Sequence, residues 1–174
     1  IQPVDRKKNP LRREWGLQEK FVVGYSGNFG RAHEFETILS AAELLRKEQH
    51  IAFLFIGAGA QLEWMKREVD RRQLHNVLFK PYQPRDQLAL SLSTPDIHVI
   101  SLQPSLEGLI VPSKFYGIAA AGRPMLFIGD SNGEIPGLLK SAQCGFSVEI
   151  KQAEQGASII RELARDEHAC NSLG

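Results

Sequence analysis

Glycines set beside a cation are a common way for a protein backbone to meet an anion, and two stretches of this 174-residue chain carry them. The first is Gly27-Asn28-Phe29-Gly30-Arg31, which sits between an apolar β-rich run and a helical pattern. There, backbone N–H groups at a helix start can face a phosphate while Arg31 adds charge. The same two glycines also serve a tight turn that binds nothing, and spacing alone leaves both uses open. The second is Pro104 to Pro124, with Glu107, Gly108, Leu109, Ser113 and Lys114 ahead of a helix ending in Ala119-Ala120-Ala121-Gly122. Close packing on a sheet accounts for the small residues. It does not account for Lys114 in the first turn, since a cation there opposes the helix dipole unless an anion is bound. Gly57-Ala58-Gly59 opens like a dinucleotide fingerprint, but the third glycine would fall at Leu62, which argues against a nicotinamide or flavin cofactor. Tyr82, within Lys80-Pro81-Tyr82-Gln83-Pro84, can stack on a nucleobase or simply close its loop. His33 and His98 have the right chemistry for acid or base work, yet a histidine near a helix start is usually a surface or capping residue, and one within a strand usually belongs to the core. No Asp-x-Asp, P-loop, nucleophile elbow, paired zinc-ligand motif or calcium loop occurs.

The elements that must hold these residues read as alternating strands and helices. Apolar runs at Phe21–Ser26, Ile51–Gly57, Asn76–Lys80, Asp96–Leu102, Pro124–Ile128 and Gly145–Val148 are the six expected strands. Helical patterns lie between them at 35–45, 62–72, 83–92, 113–121 and 135–141, and a last amphipathic helix is expected over 152–166. Such alternation predicts a Rossmann-like three-layer α/β/α domain with a six-stranded parallel sheet. Ligands of such sheets bind beyond the carboxyl ends of the strands, where strand order reverses. The loops after Ser26, Gly57, Lys80, Leu102 and Ile128 are therefore the ones to inspect.

Composition narrows the setting. With 43% hydrophobic and 24% charged residues the chain has the make-up of one globular domain, and at this length it needs neither metal nor disulfide to bury a core. Residues 1–20 carry a net charge of +3 and the remainder −2, so no broad basic face is available for nucleic acid. Pro3 to Gly16 is polar, basic and twice interrupted by proline, and residues 1–20 are expected to form an interdomain linker or basic surface arm ahead of a domain at 21–174. Two cysteines without metal-ligand or redox spacing, and no apolar run long enough to span a membrane, predict a cytoplasmic protein. The chain also reads as a piece of a longer protein.

Taken together, five blocks resemble a known family. They are Tyr25-Ser26-Gly27-Asn28-Phe29-Gly30-Arg31-Ala32-His33-Glu34, Phe53-Leu54-Phe55-Ile56-Gly57-Ala58-Gly59, Val77-Leu78-Phe79 with Pro81-Tyr82-Gln83-Pro84, Glu107-Gly108-Leu109-Ile110-Val111-Pro112-Ser113-Lys114, and Ala121-Gly122-Arg123-Pro124. From Phe21 to Gly174 the chain resembles the C-terminal domain of family 4 glycosyltransferases of the GT-B architecture, most of all the branch that builds bacterial surface polysaccharides. The resemblance implies a donor-binding half whose partner is an N-terminal acceptor-binding domain of the same protein, and an isolated half that transfers no sugar. It implies a nucleotide diphosphate sugar, expected to be a UDP-sugar, as substrate, with no separate cofactor, no metal and retention at the anomeric carbon. The acceptor would be a saccharide or a lipid-linked saccharide, with any contact at the inner membrane face confined to the full-length enzyme.

By motif match, Gly27, Asn28, Gly30 and Arg31 would face the diphosphate, Pro81 and Tyr82 the base, and Glu107, Gly108 and Leu109 the donor sugar and phosphates. Ser113 and Lys114 would hold the pyrophosphate, making Glu107 and Lys114 the catalytic candidates. Two departures stand out: Gly117 occupies the place of a glutamate that binds ribose in many members, and His33-Glu34 lie where many carry a phosphate-gripping lysine, a loss Lys114 would offset. Two other readings of the same architecture are a sugar-nucleotide epimerase and a non-catalytic interaction module.

Overall fold

In the computed structural model, residues 1–109 and 113–174 are described, so Ile110, Val111 and Pro112 of the second motif lie outside the described residues. Six strands form one parallel sheet: β1 (Phe21–Asn28), β2 (Ile51–Ala58), β3 (Val77–Lys80), β4 (Ile97–Ser101), β5 (Met125–Ile128) and β6 (Gly145–Val148), in the spatial order β3-β2-β1-β4-β5-β6. The expected α/β/α sheet is thus present, and strand order reverses between β1 and β4. The β1–β2 pair is in register over eight residues, from Phe21 opposite Ile51 to Asn28 opposite Ala58.

Alternation along each strand divides the core in two. Phe21, Val23, Tyr25, Phe53, Phe55, Ile97, Val99, Leu126 and Ile128 point to the face covered by α2 (Glu36–Leu44), α3 (Leu62–Arg71), α7 (Ala153–Arg165) and α8 (Glu167–Ser172). On the other face Val22, Leu54 and Ile56 meet α1 (Pro10–Glu14) and α4 (Leu88–Leu92), while Ile100, Met125 and Phe127 meet α5 (Lys114–Ala120) and α6 (Glu134–Ala142).

Residues 1–8 are exposed or half-buried, but from Asn9 to Leu17 the chain departs from the expected surface arm. Asn9 caps α1 by accepting from the Leu11 N–H at 3.0 Å, Pro10 fits the first helical position, and Leu11, Trp15 and Leu17 are buried against Val22, Ala52 and Leu54. Arg12 is 1% exposed; its guanidinium donates to the carbonyls of Thr94, Leu17 and Lys20 and to the Asp96 carboxylate at 3.2 Å. Counting polar residues missed this because one arginine of the stretch, Arg12, is held inside the fold, while Lys7, Lys8 and Arg13 stay exposed.

His98, in the middle of β4, is a core histidine. Its Nε2 donates to the Leu92 carbonyl at 2.8 Å, Nδ1 has no partner among the described residues, and full burial pushes its pKa down to about 4. The unfolded chain binds that proton near pH 6.5, so the stability tied to a neutral His98 is complete above about pH 6.5 and is lost as pH falls toward 4. Buried Glu34, whose carboxyl pKa is raised by burial, acts in the opposite sense. Urea denaturation at pH 7 and pH 4.5 should therefore show wild type losing about 2–3 kcal/mol more over that interval than His98→Leu. An identical loss in both would show that His98 is not buried neutral.

Candidate functional site

The carboxyl ends of β1 and β4 flank the reversal, and the sequence builds a loop there that is held at both ends. Phe29 and Phe35 bracket it and are buried. The Phe29 N–H donates to Ala58 O at 2.8 Å and Gln61 N–H to Phe29 O at 3.0 Å; the Gln61 amide then spans the loop, donating to Gly30 O at 2.6 Å and His33 O at 2.9 Å. From β4 comes the Ser101 hydroxyl, which accepts from Glu34 N–H, and the Ser101 carbonyl, which accepts from His33 Nδ1 at 2.7 Å. A carbonyl can only accept, so Nδ1 carries the proton. Gly57, at φ +144°, is what lets β2 close on this loop, since any Cβ there would collide with the Gly27 carbonyl. The Gly57-Ala58-Gly59 turn thus joins the ends of two strands.

One expectation about this loop needs correcting. Helix α2 begins at Glu36, five residues past Arg31, and the first-turn N–H of Thr37 is already accepted by the Glu34 carboxylate at 3.0 Å. The helix start is therefore closed to an outside anion by a side chain of its own loop. The loop offers something else: among the described residues, the backbone N–H groups of Gly30, Arg31 and Ala32 find no acceptor within the protein. Amides left without a partner among the described residues, on a turn closed by His33 N–H to Gly30 O at 3.1 Å, are donors that an anion can use without a helix.

Lys114 comes to the same place from α5. Its side chain runs back across Gly27, where a Cβ would lie 2.6 Å from Lys114 Cε, so only glycine leaves room for it. Its ammonium donates to the Tyr25 hydroxyl and lies 3.7 Å from the centre of the Tyr25 ring. The lysine that an anion seemed to require on sequence grounds thus already has a π face and a phenol as partners. Burial pushes its pKa down to about 7. Burial, with Tyr82 nearby, raises that of Tyr25, and burial together with the Lys114 charge lowers that of His33.

Other predicted residues are placed less closely. Asn28 is exposed at the end of β1, and Arg31 is exposed on the loop. Glu107 is drawn to α6, where its carboxylate accepts from the Glu134 N–H at 3.0 Å and its Oε2 is buried with no partner among the described residues. No contact between Glu107 and Lys114 occurs among the described residues. Gly108 at φ +77° and Leu109 are exposed beyond the turn at Pro104–Leu106, and Ser113 is exposed immediately before α5. Pro81 and Tyr82 are exposed after β3, two strands from β1. Gly117 faces Leu92, and a Cβ there would lie at an ordinary 3.6 Å from its methyl, so packing of α5 beside α4 does not itself demand glycine. Sequence reasoning missed Tyr25 and Gln61 as parts of the site. The available signal was a tyrosine on the buried face of β1 two residues before the glycines, where its hydroxyl must find a partner.

A family model for glycosyl transferases group 1 matches residues 7–174. Over 174 residues, 99% of the chain, it is 30% identical to WbjE of Pseudomonas aeruginosa, described as a probable glycosyltransferase; it spans 42% of that protein's length. Among solved structures, HepE of Anabaena in complex with UDP-glucose superposes with TM-score 0.80 at 16% identity, covering 99% of this chain and 46% of that one. The C-terminal domain of LpcC, a glycosyl transferase group 1 family protein from Francisella tularensis, superposes with TM-score 0.78 at 17% identity, covering 99% of this chain and 89% of that domain.

Proposed function

Because the chain belongs to the group 1 glycosyl transferases, we propose that it is the half of such an enzyme that binds a nucleotide diphosphate sugar, a UDP-sugar, for transfer to a saccharide or lipid-linked acceptor held by a facing N-terminal domain. The observation that carries this reading is the convergence of Lys114 with the Gly27–Ala32 loop at the sheet's reversal point. Scission of a glycosidic bond to a nucleoside diphosphate leaves negative charge on the departing phosphate. On this account the Lys114 ammonium and the free amides of the loop stabilise that charge from the protein side, most strongly where water is thin. On this reading transfer is metal-independent and proceeds with retention, Arg31 joins the phosphate contacts, and the exposed Tyr82 ring is the platform for the base. Uridine is favoured because the structural neighbour HepE was solved with UDP-glucose.

Titrating the chain with UDP, GDP and ADP by calorimetry tests this. UDP should bind, and more tightly than the other two. Silence from all three at roughly 1 mM, the level at which about 4 kcal/mol of binding free energy registers, would remove the donor-half reading.

A further inference from the structure

Tyr25 touches Lys114 and the glycine loop at once. Its ring is 1% exposed and fixed from below: Phe35 meets it edge-on with centroids 4.9 Å apart, Phe29 lies at 5.6 Å, and His33 is edge-on at 5.7 Å. These contacts set the ring plane whether or not Lys114 is present. Its hydroxyl donates to the Asn28 carbonyl at 2.8 Å, at the lip of the glycine loop, and accepts from the Lys114 ammonium. The same ammonium lies over the ring face, 3.7 Å from its centre. A lysine has four rotatable side-chain bonds and a strongly hydrated head, so an unguided Lys114 would spread over many positions in the crevice. Held by a π face, a phenol and the bare backbone of Gly27, it has one.

We propose that Tyr25 is a positioning residue for the donor: it fixes the Lys114 ammonium over Gly27, at the base of the glycine loop, so that cation and loop meet one phosphate group as a unit. This rests on the donor-half reading above. The phenol makes no contact with substrate. Its hydroxyl gives one bond and receives one, and the ammonium keeps two N–H donors beyond the one it gives to the phenol. The rival use of the same contacts is parking, in which Tyr25 holds Lys114 away from the phosphates until a nucleotide displaces it. The two make opposite predictions.

The decisive measurement is UDP affinity by calorimetry for wild type, Tyr25→Phe, Lys114→Met and the double variant, with thermal melting as a check on folding. Positioning predicts that Tyr25→Phe weakens UDP binding about tenfold in the wild-type background and less than about twofold when Lys114 is already methionine. Unchanged or tighter binding by Tyr25→Phe, or an equal loss in both backgrounds, overturns it. If Tyr25→Phe does not fold, the Lys114 ε-methylene proton resonances of wild type decide: ring-current shifts that persist with UDP bound support positioning, and shifts that vanish on binding overturn it. Absence of UDP binding by wild type removes the donor-half reading and the positioning role together. Wild-type binding that Tyr25→Phe leaves intact removes the positioning role alone.

Discussion

Lys114→Ala should weaken UDP binding about ten- to a hundredfold, the cost of deleting one charge-assisted phosphate contact worth about 1.5–3 kcal/mol. Its pH dependence identifies the cause. In the free protein burial holds the Lys114 pKa near 7, and a bound phosphate must raise it. Binding therefore draws in a proton wherever the free lysine is neutral, and wild-type affinity falls as pH rises above about 7, by at most about tenfold per unit. Lys114→Ala should show a flat profile over the same interval. Stability runs the other way. Between about 7 and 10.5 the unfolded chain binds more protons at this lysine than the folded one, so the cost of burying the cation is fully present below 7 and is relieved as pH climbs. In the absence of nucleotide the alanine variant should accordingly be no less stable than wild type at pH 7. Calorimetry between pH 6.5 and 9, with urea denaturation alongside, checks both halves. Equal affinity of the two proteins at pH 7 would take Lys114 out of the site.

Asp96→Ala should be the most damaging single change to stability, at about 3–5 kcal/mol. The Asp96 carboxylate accepts from the Val22 backbone N–H at 2.7 Å, from buried Arg12 at 3.2 Å, and lies 3.4 Å from Arg6. Its removal leaves a guanidinium with 1% exposure and no counter-charge, together with an N–H at the start of the central strand and no acceptor. Arg12 is held below its usual pKa, chiefly by burial, with the Asp96 charge opposing that shift, so the buried cation relies on Asp96. Asp96→Asn retains an acceptor for Val22 and should lose less. Arg12→Met with Asp96→Asn should lose less than the sum of the single variants, because the uncompensated charge is gone. Urea denaturation with an unchanged m-value measures each; a loss below about 1 kcal/mol for Asp96→Ala would show that the guanidinium reaches water.

Most of the architecture was legible because it depends on pattern. A continuous apolar run such as Ile51–Gly57, short and followed by a glycine turn, is typical of a strand covered on both sides, and the alternation of such runs with helical spacing points to a parallel sheet. The observed β2 ends one residue later than read, at Ala58, and helix α3 ends one residue earlier, at Arg71. What pattern could not supply was the partner of each polar group. Arg12 and Asp96 are 84 positions apart, so nothing local tells a buried arginine from a solvated one. The same limit applied at the site. The glycines and Lys114 were visible as residue types, but the closure of the α2 start by Glu34 depends on how a five-residue loop folds between two buried phenylalanines, and Tyr25 gains its role only when α5 delivers Lys114 to it. The small residues of α8 carried no helical signal beyond Asp166, which nonetheless caps that helix by accepting from the Ala169 N–H at 2.9 Å.

The aromatic cluster beneath the loop has a consequence for affinity. Tyr25, Phe29, Phe35 and Phe55 interlock with centroids 4.9–6.5 Å apart, and two of them are the loop's own ends. Ordering a free backbone costs about 1–2 kcal/mol per residue at room temperature, and a floppy phosphate loop would deduct that sum from every binding event. Here the chain incurs the cost once, at folding, in exchange for buried rings. If the proposed donor site lies at Gly30–Ala32, its loop is anchored before the ligand arrives, and less of the contact energy is spent on ordering it.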